Sequence, residues 1–152
     1  MKALTCLKTR KSIRKFKDVP VSQEIINDIL DCARSAPSAN NSQPWSFIVV
    51  QDPAQKEKLS QVQPWASFVA DAPVCIVLCM TSAGSDFSPS NYLSVACAGE
   101  NILLATHAHG LASCWTYVKD FNDSSVEEKA REILKVSKDL EIIALFPVGY
   151  PN

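Results

Sequence analysis

Apolar residues recur along this chain with two periods, and the periods divide it into helices and strands. Ile25, Ile26, Ile29, Leu30 and Ala33 fall at helical spacing and predict a helix with one wide apolar face, capped by Ser22 and stopped before Pro37. Trp45-Ser46-Phe47-Ile48-Val49-Val50, bounded by Pro44 and Pro53, predicts a strand. Asp52 and Pro53 then open a helix to about Val62, with a further helical turn expected before Ala70. Val74-Cys75-Ile76-Val77-Leu78-Cys79-Met80 is a continuous apolar run, which predicts a central strand covered on both faces. Thr81 to Pro89 is small and polar and predicts a mobile loop.

Ser90 to Ala108 is the longest helical pattern and carries one formal charge, Glu100. A helix this apolar all round is expected to be buried in the domain or in a dimer. Gly110 closes it. Ala112 to Val118 predicts a third strand. Ser124-Ser125-Val126-Glu127 predicts a capping box and a helix to about Val136, and Glu141 to Val148 a last strand. Near the start, residues 3–9 predict a short helix with Leu4 and Leu7 facing inward. The resulting order is α, α, β, α, β, long α, β, α, β, which suits an open sheet covered by helices. No glycine-rich loop follows a strand, so neither a P-loop nor the usual dinucleotide fold is supported.

Composition narrows the partners. A chain of 152 residues fits one domain, 1–152, and can bury about two-thirds of its unfolded surface without a metal or disulfide staple. The net charge of -1 leaves no basic field for nucleic acid or an anionic membrane, and no apolar run has the length of a membrane span. Six cysteines lie scattered in apolar segments without metal-site spacing, which predicts buried reduced thiols. Cys75 and Cys79 should face one side of their strand about 13 Å apart. Met1-Lys2-Ala3-Leu4 leads straight into helix with no signal-peptide pattern, so a cytoplasmic, reducing setting is expected.

Two stretches could carry chemistry. Arg10, Ser12 and Arg14 alternate, so an extended backbone points all three to one side, and two guanidiniums with a hydroxyl make a phosphate clamp. A solvated basic stretch is the plain alternative. The second is Ala36-Pro37-Ser38-Ala39-Asn40-Asn41-Ser42-Gln43-Pro44-Trp45, a loop with no charge and several neutral hydrogen-bonding groups. Such groups suit a flat, neutral, polar ring; the alternative is an ordinary turn-rich loop. Together the two match the needs of flavin mononucleotide (FMN), with arginines for its phosphate and amides for the edge of its ring. His107 and His109 face different ways on a helix, and no paired acid and base stands out, so a cofactor would have to supply the chemistry.

Arg10-Lys11-Ser12-Ile13-Arg14-Lys15-Phe16, Ala36 through Val50, Asp71-Ala72-Pro73-Val74, Gly110-Leu111-Ala112-Ser113-Cys114-Trp115 and Val148-Gly149-Tyr150-Pro151, in that order, resemble the nitroreductase family. The resemblance implies an α+β fold with a mostly antiparallel central sheet. It also implies a homodimer built around the long apolar helix, with FMN at the subunit interface and NAD(P)H as co-substrate. On this pattern Arg10, Lys11, Ser12 and Arg14 would hold the phosphate and ribityl end of the cofactor. Pro37, Ser38, Asn41 and Gln43 would line the site, the Asn41 region reaching it from the partner subunit. The backbone around Leu111 and Ala112 would lie near the reactive part of the ring. The implied activity is reduction of nitroaromatics, quinones or similar small acceptors by hydride transfer in two half-reactions.

Two departures from the pattern bear on this. Relatives usually continue past Gly-Tyr-Pro into a basic segment that also contacts the phosphate, whereas the sequence here stops at Asn152. The stretch from Thr81 to Tyr92 is also short, which implies an open, less selective acceptor pocket or a partner that completes it. A flavin-binding or interaction protein without turnover, or a dimer that binds nothing, are the alternatives.

Overall fold

The computed structural model describes residues 1–81 and 89–152. Its elements are α1 (Ala3–Thr9), α2 (Gln23–Arg34), β1 (Trp45–Val50), α3 (Pro53–Ser60), β2 (Val74–Thr81), α4 (Pro89–Ala108), β3 (Ala112–Ser113), β4 (Thr116–Tyr117), α5 (Ser125–Leu134) and β5 (Leu140–Gly149). The loop expected from Thr81 to Pro89 falls largely on residues 82–88, outside the described residues; Thr81 ends β2 and Pro89 opens α4.

The sheet runs β1-β2-β5, with β3 and β4 both on the far edge of β5, and every strand pair is antiparallel. The expected α+β class with a mostly antiparallel sheet is therefore what forms. β2 is buried along almost its whole length, as its unbroken apolar run requires. Its alternate residues feed two cores. Val74, Ile76, Leu78 and Met80 join Ile26, Ile29, Ala98 and Ile102 beneath α2 and α4. Cys75, Val77 and Cys79 join Leu59, Val69, Ala130, Ile142 and Leu145 beneath α3 and α5. Cys75 and Cys79 thus share a face, and both thiols are pushed up to about 12 by burial. All six cysteines are unpaired, four of them buried, with Cys32 half-buried and Cys97 exposed.

Local signals explain most helix ends. Ser22 Oγ accepts from the Ile25 N–H, Asp52 Oδ2 accepts from the Gln55 N–H at 2.7 Å, and Gly110 closes α4 at a φ of 73°. Lys56 is buried, its ammonium donating to the carbonyls of Ala72 (2.5 Å) and Pro73 (3.2 Å) just before β2. Burial holds this amine below its ordinary value.

Three expectations need correction. Leu4 and Leu7 do not face inward: they are 69% and 56% exposed, and α1 meets α4 through Cys6, whose thiol donates to the Leu104 carbonyl. The capping box at Ser124 does not form. Ser124 donates to Glu128, the Ser125 N–H goes to Asp123, and Glu127 is turned inward. The third strand is two short pairs rather than one run. Ser113 faces Val148 and Thr116 faces Leu145, a common register that sets Pro147, with no N–H to donate, opposite the gap. There Trp115 packs edge-on to Phe146 at 4.9 Å and fills the place a side chain at Gly99 would need.

Beneath α5 lies a charged network. Glu127 Oε1 accepts from Arg131 Nη2 (2.7 Å) and the Ile142 N–H (3.0 Å), and its Oε2 accepts from Lys119 Nζ (3.0 Å). Lys119 also lies 3.3 Å from Glu141, which accepts a 2.5 Å bond from the Tyr92 hydroxyl. Burial pulls the Lys119 ammonium down, but Glu127 and Glu141 outweigh it and hold it above its ordinary value. Burial and the bond to Glu141 push the Tyr92 hydroxyl up.

Candidate functional site

The basic stretch leaves α1 in extended form at Arg10, whose N–H caps the helix on the Cys6 carbonyl. It is then bound on two sides. The Ile13 N–H donates to the Ser113 carbonyl at 3.0 Å, with Ser12 and Ser113 bridged in parallel. Farther on, the Lys17 N–H donates to Tyr150, and the Asn152 N–H donates to Lys15. Phe16 goes inward and, with Ile13, Phe68, Ala72 and Ala112, forms a small third core. Lys11, Ser12 and Arg14 stay exposed. The Arg14 guanidinium sits 5.6 Å above the Phe68 ring, and Arg10 Nε lies 3.5 Å from Glu100.

Leu111 and Ala112 lie beside this stretch. The Leu111 N–H donates to the Thr106 carbonyl, and Ala112 pairs with Gly149. Both side chains are buried, so only backbone from this turn can face a ligand. Gly149 is obligatory here, since a Cβ on it would come within 2.6 Å of Pro73 and 3.1 Å of Phe16. The Ser113 hydroxyl is buried and has no hydrogen-bond partner among the described residues.

The uncharged loop is a built structure rather than a slack connector. Asn40, Asn41 and Gln43 all have positive φ (53°, 55° and 47°). Such backbone is sparsely populated for non-glycine residues and persists where its surroundings impose it. Here Ser38 Oγ accepts from the Gln43 N–H, Ser94 Oγ accepts from the Ala39 N–H, and the Thr81 N–H and hydroxyl both donate to the Pro44 carbonyl. Pro44 and Trp45 are buried anchors, while Pro37, Asn41 and Gln43 are exposed and Ser38 is half-buried. Gln43 Nε2 donates to Asn41 Oδ1 at 2.9 Å, so the two amides are held side by side.

These stretches are strung along α4 rather than gathered at one point. Ser94 holds the uncharged loop, Glu100 meets Arg10, and Thr106 holds the Leu111 turn. Ser94 and Thr106 are separated by about 18 Å of helix. The structure thus joins the basic stretch to the Leu111–Ala112 turn, residues a hundred positions apart, and sets Ser38, Asn41 and Gln43 at the other end of the helix. Sequence reasoning missed Ser94 and Glu100, both tied to stretches more than fifty residues away. His107 meets the Thr9 hydroxyl at 2.8 Å and His109 meets Asp28 at 2.6 Å, so both are structural. Among the described residues no group of His, Cys, Asp and Glu could hold a metal ion, and no helix is long and apolar enough to cross a membrane.

The fold is α+β, and the stretches expected to form a site carry cations, hydroxyls and neutral amides. Their donor set fits FMN: cations and a hydroxyl at one stretch, clustered amides without a carboxylate at the other. The model of the Nitroreductase family matches residues 7–63 and 60–150, and the chain belongs to that family. It is 38% identical over 151 residues to a provisionally named NADH dehydrogenase/NAD(P)H nitroreductase of Methanothermobacter thermautotrophicus, covering 99% of this chain and 78% of that one. The solved structure of an FMN-dependent nitroreductase from Clostridium difficile superposes with a TM-score of 0.88 at 34% identity, covering 98% of this chain and 86% of that one. A Desulfovibrio desulfuricans nitroreductase solved in complex with FMN superposes at 0.84 with 26% identity, covering 97% and 85%.

Proposed function

We propose that residues 1–152 form one FMN-binding unit of a homodimeric oxidoreductase that uses NAD(P)H to reduce nitroaromatics, quinones or similar electron-poor acceptors. The observation that carries this reading is the hydrogen bond from Ile13 to Ser113, which seats the basic stretch against the Leu111–Ala112 turn. Arg10, Lys11, Ser12 and Arg14 then stand where a phosphate and ribityl chain can meet them, with backbone of the turn beside the ring. Two-electron transfer from NAD(P)H to the acceptor, one after the other at the same place, is what the flavin supplies when bound. This chain's residues bind, orient and exclude water; none needs to move a proton.

The spread along α4 supports a site shared between subunits. The loop of Pro37, Ser38, Asn41 and Gln43 meets α4 at Ser94, whereas the Arg10–Arg14 stretch meets it at Glu100 and joins the turn held by Thr106, and a second copy can bring the loop to the ring from the other side. Exposed Leu4, Leu7 and Leu93 offer apolar surface for that contact.

Two spectra test the proposal: the purified protein as isolated, and the same protein after NADPH is added without oxygen. A flavin spectrum that NADPH bleaches and a nitroaromatic or quinone restores is expected. A colourless protein that takes up no added FMN would overturn the proposal. Bound flavin that neither NADPH nor NADH bleaches would mean a carrier without turnover.

A further inference from the structure

We propose that Glu100 is a positioning residue that aims the Arg10 guanidinium; this rests on the reading of Arg10 as a phosphate ligand. Glu100 is the one Asp, Glu, Lys or Arg on the twenty residues of α4. A lone carboxylate on an apolar helix could serve solubility alone, and its side chain is 50% exposed. Its placement argues for more. Its Oε1 lies 3.5 Å from Arg10 Nε, and the Arg10 side chain is only 27% exposed.

The guanidinium presents Nε on one side and its two Nη groups at the far end. A carboxylate on the Nε side leaves the Nη pair to face outward, the geometry that meets two phosphate oxygens at once. The backbone of Arg10 is fixed separately. Its N–H is capped on Cys6, the Cys6 thiol donates to the Leu104 carbonyl, and Thr9 meets His107, so the end of α1 is tied to α4 at two points. Gly99, covered by Trp115, fixes the helix against the β3–β4 corner one residue before Glu100. What remains free at Arg10 is its side chain, and Glu100 is the group that restrains it. The guanidinium lies between Glu100 and a phosphate at the Nη pair, so the carboxylate's attraction for the cation acts at shorter range than its repulsion of the phosphate. Orientation therefore outweighs repulsion.

The test compares FMN with riboflavin, which lacks the phosphate, by fluorescence titration of the flavin-free protein. Wild type should bind FMN more tightly than riboflavin. Glu100→Ala should raise the FMN Kd about fivefold, the upper worth of a partly exposed ion pair, and leave the riboflavin Kd unchanged. Glu100→Gln removes the charge of the ion pair and should lose FMN affinity as Glu100→Ala does, while Glu100→Asp should keep part of it. In an Arg10→Ala background, adding Glu100→Ala should change nothing further. An unchanged or lower FMN Kd in Glu100→Ala, or an equal loss of riboflavin, overturns the inference while the phosphate reading stands. A wild type that binds both flavins equally overturns the phosphate reading and this inference with it.

Discussion

The two sides of the sheet are finished differently. On the α3/α5 side, the helices are short and charged, and the buried ions close on one another. Glu127 satisfies Lys119, Arg131 and a backbone N–H at once. On the α2/α4 side the long helix carries one formal charge, and leucines remain exposed on α1 and α4, Leu93 at 71%. A groove of about 480 Å³ there runs between α1, α2 and α4, lined by Cys6, Leu7, Cys32, Leu104 and Ala108. The buried charges of the first side are closed within one chain, although Trp65 and Phe121 remain exposed there. The second reads as half of something, and every stretch assigned to the cofactor lies along its helix.

The sharpest way to break this contrast is at Glu127. Glu127→Ala would leave half-buried Lys119 with Glu141 alone, half-buried Arg131 with carbonyl partners alone and the Ile142 N–H with no acceptor, at a cost of about 2–4 kcal/mol measured by chemical denaturation. A loss below about 1 kcal/mol would show that the network does not hold the α5 side. On the other side, if the proposed homodimer forms through α4, Leu93→Lys should leave the fold of one chain intact while weakening self-association by about 1.5–3 kcal/mol, read by sedimentation of the protein over a dilution series. If the sedimenting mass is unchanged at every concentration, Leu93 is not at the contact.

Asn41→Ala should weaken FMN binding about fivefold to tenfold, the worth of one or two hydrogen bonds, with the sedimenting mass unaltered. Unaltered flavin affinity would remove the uncharged loop from the site. The smallest effect concerns the thiols beneath α3 and α5. Cys75 and Cys79 are raised from 9.0 to about 12, so above pH 9 the unfolded chain releases their protons and the folded chain does not. Their contribution to stability is whole below pH 9 and is lost as pH climbs toward 12. Alkylation of the native protein near neutral pH should spare both. Early labelling of Cys75 or Cys79 would mean that the α3/α5 side opens locally.

Periodicity announced α2, β1, β2 and β5 because in each the buried face is set by the chain's own alternation or helical repeat. It failed where a contact distant in sequence decides. Leu4 and Leu7 have helical spacing, but Cys6 makes the contact with α4 and leaves them outside. Ser124 and Glu127 have capping-box spacing, yet a backbone N–H of β5 and the ammonium of Lys119 claim the carboxylate. The four-residue spacing of Glu127 and Arg131 was the available sign of that pairing. At the site, the basic stretch and the uncharged loop stood out by residue type alone. Their separation along α4 did not, since Ser94 and Glu100 look like ordinary helix residues until the fold brings Ala39 and Arg10 to them.

β5 follows every other described element in the chain, yet it lies at the middle of the sheet, between β2 and the β3–β4 pair. Before residue 140 is synthesised, β1 and β2 have only each other, and β3 and β4 have no strand partner, β3 only its bridge to Ser12. Assembly must therefore wait for the last strand, and until then the apolar run of β2 stands open on one edge. A nascent chain of this kind would be a natural client for holding chaperones.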